Sequence, residues 1–365
     1  MAGALILPQV VHLLLRLALP IPGGHHVFRP RRTTATILAA LATGGVLAGC
    51  GDEASAAPTL TVYSAQHESL VRTMVEGFTD ETGIELEFRD ANDAELANQI
   101  VQEGEASPAD VFLTENSPSI DILDTEGLLA PLDAATLEQV GEQFRPSSGN
   151  WTGFAARSTV LVHNPDVLPE AELPASIMDL ADPAWEGRIG IAAGGPDFQA
   201  IVSAVLALRG EDATRAWLEG LERNAEVYQS NTAVMVAADE GEIDAGIMYH
   251  YYWYRDQAEN ALKGDDARLH LFGNQDPGAF LSVSGAGVLA SSDQPEEAQQ
   301  LVAYLTSPEA QERLADSSAL EYAVGTGVAS AEVLPPLDTL QAPDVDPGAL
   351  DQRRVTELMQ EVGLL

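Results

Sequence analysis

Apolar positions along the chain switch between a period of two and a period near three and a half. Leu60–Tyr63 is β-branched and aromatic and predicts a strand. After Ser64–His67, the residues Leu70, Met74, Val75 and Phe78 recur at helical spacing, and Thr82 with Gly83 stops that predicted helix. Ile84–Phe88 alternates as a second strand. Glu95–Glu103 predicts a second helix closed by Gly104, and Ala109–Leu113 a third strand. Glu115 follows, then Ser117 as N-cap and Pro118 as first helical residue of a helix ending at Gly127. A β-α-β-α-β-α rhythm implies an open parallel α/β sheet, in which ligands bind outside the carboxyl ends of the strands. His67 follows the first strand and Glu115 the third, so both face one crevice if those strands are neighbours.

The pattern then repeats its class without repeating its sequence. Arg157–His163 and Arg188–Ala192 predict strands. The second ends in Gly194, Gly195 and Pro196, and Asp197 is placed to cap a helix over Phe198–Arg209 that Gly210 stops. Asp212–Arg223 is helical, Asn231 or Thr232 caps Ala233–Glu240, and Ile243–Ile247 is a strand. That strand delivers an aromatic cluster: four of the eight tyrosines are Tyr249, Tyr251, Tyr252 and Tyr254, with His250 and Trp253 among them.

Composition narrows the class. An apolar fraction of 45% over 365 residues supports one large or two medium cores. Beyond residue 49 the chain holds 14 basic against 56 acidic residues. Such a surface repels nucleic acid and anionic lipid, and much of it is solvated face. Arg29, Arg31 and Arg32 precede an apolar run, Ile37–Val46, that is too short to span a bilayer. The run ends in Leu47–Cys50, which resembles a bacterial lipobox, in which the cysteine thiol is acylated and the preceding peptide bond cut. Cys50 is the only cysteine, so no intramolecular disulfide forms. Residues 1–49 therefore read as a signal region, extended upstream of a complete signal. Residues 50–58 read as a lipidated cysteine and a polar tether, anchoring the protein in the cell envelope, on the outer face of the cytoplasmic membrane or in the periplasm.

The tyrosine cluster carries the chemistry. A phenolate is a hard oxygen donor that suits a hard, highly charged cation such as ferric iron. Taken singly, each residue has a plainer reading. Tyr251 and Tyr252 fit an aromatic core segment, and adjacent strand residues point to opposite faces, so convergence on one metal needs a turn or helix start at that point. His67 fits a helix-start residue. Glu115 fits a carboxylate favoured by a helix dipole. Arg157 fits a partner for one of many acids. No His-Glu-x-x-His spacing, Gly-x-Ser-x-Gly elbow or Walker loop is present, which argues against a hydrolase or an ATPase.

From Leu60 to the C-terminus the chain resembles the bacterial periplasmic ferric-iron-binding proteins, the substrate-binding components of ABC-type iron importers. The resemblance is carried by Tyr63–His67, Ser107–Phe112 with Thr114 and Glu115, Gly241–Asp244, Tyr251–Trp253, Asp276–Ala279 and Ser284–Leu289. It implies a two-lobed α/β periplasmic-binding-protein fold with a hinge and a cleft. One lobe would be 59–157 plus 282–332, the other 158–281 plus 333–365. It also implies Fe³⁺ bound by His67, Glu115, Tyr251 and Tyr252, and a synergistic anion near Arg157, Asn231, Asn116 and Gly195. The partner it implies is an ABC-type permease in the membrane, served by a monomer.

The departures bear on the anion. The family's anion loop usually offers a hydroxyl or amide followed by glycine at a helix N-terminus. Here Gly195 and Pro196 stand there, and Asp197 follows. Proline lacks an N–H and a carboxylate repels phosphate, so carbonate is expected before phosphate, with a third phenolate from Tyr249 or water as further ways to complete the shell. His163, where some relatives carry a tyrosine, is a further metal or supporting residue. Two other function classes remain: the same fold binding an inorganic or organic anion, and a lipid-anchored metallohydrolase.

Overall fold

The computed structural model describes residues 57–259 and 266–365, all within one body, Ser55–Leu365. The strands are β1 Thr59–Ser64, β2 Glu85–Asp90, β3 Val111–Leu113, β4 Trp151–His163, β5 Ile189–Ile191, β6 Ala225–Val227, β7 Ala245–Tyr249, β8 Arg268–His270 and β9 Leu281–Val288. They join in one sheet of order β2-β1-β3-β9-β4-β7-β5-β6, with β8 also on β4. The expected parallel pairing holds for β2-β1-β3 and for β6-β5-β7. Between them β9 and β4 run antiparallel to their neighbours, so the sheet is mixed.

β4 links the two parallel halves. All 13 of its residues are buried, and at about 3.3 Å per residue it spans about 40 Å. Trp151–Ser158 pairs with β9, and Thr159–His163 pairs with β7 and β8. Predicting a strand only from Arg157 missed its first half, because a strand buried on both faces shows no alternation. Helices cover both faces. Around β1, β3 and β9 one core gathers Leu60, Val62, Leu70, Phe78, Leu301 and Leu305, and another Leu96, Ile100, Phe112, Ile120 and Trp151. Around β5 and β7 the largest core packs Ile189, Ile247, Phe198, Ile201, Trp217 and Leu358.

Four predicted boundaries move, each with a local cause. The first helix is two, Glu68–Met74 and Phe78–Thr82, because Gly77 takes φ +88° between them. Ser117 and Pro118 are both inside the helix Ser117–Thr125, and Asn116 is its N-cap residue. The helix Pro196–Arg209 starts from Gly195, so Asp197 lies in its first turn and caps nothing. Ser230, whose side chain accepts from the Ala233 N–H, caps the helix Asn231–Asp239, which frees the Asn231 amide. The last two shifts send polar side chains into the cleft. Among the described residues no helix is long and apolar enough to cross a membrane.

Candidate metal centre

β1 and β3 are parallel neighbours, so the loops after them leave the same edge of the sheet. His67 ends the first loop at the N-terminus of the helix Glu68–Met74, with its backbone N–H held by Gln66 Oε1 at 2.6 Å. Glu115 ends the second. Its backbone N–H and that of Asn116 donate to the buried carboxylate of Asp93, at 2.9 and 3.1 Å. From the other half, β7 runs straight into the helix His250–Ala258. That helix start is what two adjacent tyrosines need in order to converge. Tyr251 and Tyr252 stack at 4.2 Å between ring centroids, 29° from parallel.

Three donors meet. His67 Nε2 lies 3.3 Å from the Tyr251 hydroxyl and 3.5 Å from Glu115 Oε1, and the Tyr251 hydroxyl donates to Glu115 Oε1 at 3.4 Å. A small octahedral cation with bonds near 2.0–2.1 Å sets adjacent donors about 3 Å apart. The triangle is wider than that by a few tenths of an ångström. Its atoms are one imidazole, one carboxylate and one phenol, which suit a hard trivalent cation.

The fourth expected donor has a different partner. The Tyr252 hydroxyl donates to Asp197 Oδ2 at 3.0 Å. Asn231 Nδ2 donates to the same oxygen at 2.8 Å, and Asn116 Nδ2 donates to Oδ1 at 3.1 Å. Tyr249 is fully buried and its hydroxyl lies 3.3 Å from both Asn116 Oδ1 and the Asp197 backbone oxygen. The amides expected around an outside anion thus surround a carboxylate of the chain itself. Gly195 stands at the head of the same helix.

Arg157 is wholly buried beneath this floor. Its Nη1 lies 3.9 Å from Glu115 Oε1 and 3.5 Å from Glu321 Oε2, and its guanidinium sits 5.6 Å from the Tyr249 ring centroid. His163 is elsewhere. It ends β4, six residues or about 20 Å beyond Arg157, with Nδ1 3.0 Å from the Leu168 carbonyl oxygen. Cys50 and the signal region lie outside the described residues.

Burial dominates the electrostatics. It pushes the phenols of Tyr251 and Tyr252 up, and the charges of Asp197 and Glu115 push them further. Glu115 rises through burial, against the pull of Arg157. Asp197 is pushed up to about 6 by burial and by Glu115, with Arg157, Asn116 and Tyr252 acting against the rise. Burial, then Arg157 and Arg255, lowers His67 and so favours the neutral imidazole a metal needs. Burial works against the charge of Arg157, but Glu321 and Glu115 outweigh it and keep the guanidinium ionised. Among the described residues no three His, Cys, Asp or Glu side chains are spaced to hold a metal without the phenols.

Sequence reasoning treated Asp197 as an obstacle to an anion, and it passed over Asp93, Gln66 and Glu321. An aspartate directly before a predicted helix start was the one signal for Asp197. The other three were marked by nothing local.

Comparisons with known proteins show the family. Residues 106–347 match the bacterial extracellular solute-binding proteins. The chain is 51% identical to the Fe(3+)-binding periplasmic protein of Serratia marcescens, over 90% of this chain and 97% of that one. It is 35% identical to the major ferric iron-binding protein of Neisseria meningitidis, over 84% and 93%. The structure of iron-bound HitA from Pseudomonas aeruginosa superposes with a TM-score of 0.78 at 40% identity, covering 84% of this chain and 99% of that one. These relatives are binding proteins of iron transport and not enzymes, and the fold they share is two-lobed. The chain belongs to the family of bacterial extracellular solute-binding proteins that includes these periplasmic ferric-iron-binding proteins.

Proposed function

We propose that this protein captures ferric iron outside the cytoplasm and delivers it to an ABC-type permease. One observation carries the reading: His67 and Glu115 from one half of the sheet and Tyr251 from the other converge within 3.3–3.5 Å, with Tyr252 stacked alongside. Donors drawn from both halves let the metal close the cleft, because only the closed state makes every bond. The lobes are taken as 59–157 plus 282–332 and 158–281 plus 333–365. This division puts two of its three crossings at paired positions, since Arg157 and Ser158 lie opposite Ser282 and Leu281. The closed form is the signal for the permease. Acylation at Cys50 keeps the monomeric receptor near that partner.

The anion follows from Asp197. Its carboxylate already accepts from Asn116, Asn231 and Tyr252. A phosphate there would displace a bonded carboxylate and meet its charge. Asp197 therefore serves as the built-in anion, and iron binding does not require phosphate. Carbonate or water completes the shell. Two carboxylates, the partly buried Glu115 and the buried Asp197, disfavour the reading of the cleft as a receptor for a free anion.

The test is an absorbance titration of the purified protein with chelated Fe³⁺. The expected result is a broad visible phenolate-to-iron band that saturates at one iron per chain, with or without phosphate. A protein that stays colourless overturns the ferric reading. A band that appears only with phosphate overturns the role given to Asp197.

A further inference from the structure

His67 and Glu115 are both tied from behind to one buried carboxylate, Glu321. It precedes Tyr322, whose bridge to Ala156 sets the segment beside Arg157. Glu321 is 1% exposed, and its Oε2 lies 3.5 Å from Arg157 Nη1. The same oxygen accepts from Gln66 Nε2 at 3.4 Å. Gln66 in turn accepts the His67 backbone N–H at 2.6 Å and donates to Ser284 Oγ at 2.7 Å. Ser284 Oγ donates to the Glu115 carbonyl oxygen at 3.2 Å.

The ion pair at the centre of this network is loose. None of the three Arg157 side-chain nitrogens makes a hydrogen bond among the described residues, and neither does Glu321 Oε1. Taking both charges out of water for so little bonding is costly, and apolar side chains would fill the space with less penalty. The pair also stands in line with a metal donor, since Arg157 Nη1 lies between Glu321 at 3.5 Å and Glu115 at 3.9 Å. A guanidinium prefers a close two-pronged contact with a carboxylate. Left with Glu115 alone, Arg157 would close on it, occupy the oxygens that iron needs, and repel a trivalent cation.

We propose that Glu321 is a positioning residue for iron capture. It holds Arg157 back from Glu115 and offsets its charge, and through Gln66 it steadies the loop that presents His67. The other charged groups that act on Glu321 are Asp197 and Arg255, which oppose one another. The proposal rests on the ferric reading above and adds to it a residue that touches no ligand.

A charge-pair cycle tests it. Ferric iron is partitioned against citrate, as competing chelator, for the wild type, Glu321→Gln, Arg157→Gln and the double variant, with the melting temperature of each apo protein measured alongside. Loss of a supporting partner around a metal site costs about 10–100-fold in affinity. Glu321→Gln is expected to weaken iron by that factor while keeping the phenolate band. Adding Arg157→Gln removes the unopposed guanidinium and is expected to recover most of the loss. Glu321→Asp keeps the charge and is expected to bind better than Glu321→Gln. Should Glu321→Gln alone fail to fold, the double variant decides the matter, since it is expected to bind close to the wild type. Wild-type affinity in Glu321→Gln overturns the proposal. So does a loss that the double variant does not recover, or an Asp variant no better than Gln, since each assigns Glu321 to the fold alone. A wild type with no band at all is a failure of the ferric reading and is told apart by that.

Discussion

The two sides of the cleft floor satisfy their polar groups in different ways. On one side His67, Glu115 and Tyr251 meet at 3.3–3.5 Å, long for hydrogen bonds, and the His67 side chain is 39% exposed. On the other, Asp197 is buried and accepts from Asn116, Asn231 and Tyr252 at 2.8–3.1 Å. The first side is underused, and His67 alone of the three is well exposed to solvent. The second is a completed network of the kind that fixes a structure. The difference teaches where each job is done. On the proposed function, the groups that exchange protons for a metal are held loosely, while the carboxylate of Asp197 is fixed by three donors.

The comparison breaks most completely if the phenols go. Tyr251→Phe with Tyr252→Phe is expected to abolish the visible band and to lower iron affinity by well over the factor of about 100 that bounds the loss of a supporting residue. Retained binding of a coloured complex would place the metal elsewhere. Apo stability should fall by about 1.5–3 kcal/mol, since phenylalanine keeps the stacked pair but takes the Tyr252 donor from the buried Asp197.

Next in size is the built-in carboxylate. Asp197→Ala removes the charge and leaves Asn116, Asn231 and Tyr252 without their acceptor. Iron affinity is expected to fall about 10–100-fold in anion-free buffer and to be restored in part by carbonate or phosphate. Anion titrations of the variant and the wild type, read by the band, check this. A variant indifferent to anions would show that the cradle holds nothing for the metal.

Acid sharpens the contrast because it acts oppositely on the two states. Iron displaces two phenol protons, so affinity is expected to rise by up to about tenfold per proton per pH unit, and to fall faster below about pH 6, where Asp197 is protonated. The apo protein should do the reverse. Burial pushes Asp93 up to about 8, Glu321 to about 7 and Asp197 to about 6, each above its unfolded value near 4. Through these groups the folded chain binds more protons than the unfolded one, while burial lowers His250 to about 3 and so opposes them below about pH 6.5. Apo stability therefore falls as pH rises from about 6.5 to 8. Melting curves at pH 6.5 and pH 8, with and without iron, check both signs. Apo protein that gains stability towards pH 8 would mean that these carboxylates are better solvated than their burial indicates.

The smallest expected effect lies outside the site. With 56 acidic against 18 basic residues, the surface repels itself. Salt near 1 M is expected to raise the apo melting temperature by a few degrees through screening, and to do so equally in the wild type and in Asp197→Ala. A change confined to the variant would make it a property of the cleft.

Much of this was legible along the chain. The predicted strands found all of β3 and most of β1 and β2, and the Tyr249–Tyr254 cluster marked the candidate site before any fold was known. Where the reading slipped, a local rule had two candidates and the structure used the other. Asp197 is a good N-cap residue, yet Gly195 starts the helix and leaves the carboxylate free. Asn231 is equally good, yet Ser230 caps and the amide is released to Asp197. Gly77 was the breaker that helical spacing across Val75 and Phe78 concealed.

The sequence by itself determined the class of element, the parallel βα units, the acidic surface and the hard-donor chemistry, because these depend on residue type and on spacing within one segment. Only the tertiary structure decided which donors meet. The Gln66–Glu321 contact joins residues 255 positions apart, Asn116 and Asp197 are 81 apart, and His67 and Tyr251 are 184 apart. Such pairings come from strand order and from the passage of β4 between the two halves of the sheet. They leave no period in the chain, since each partner's own neighbours are shaped by its local helix or strand and carry no mark of the group across the cleft.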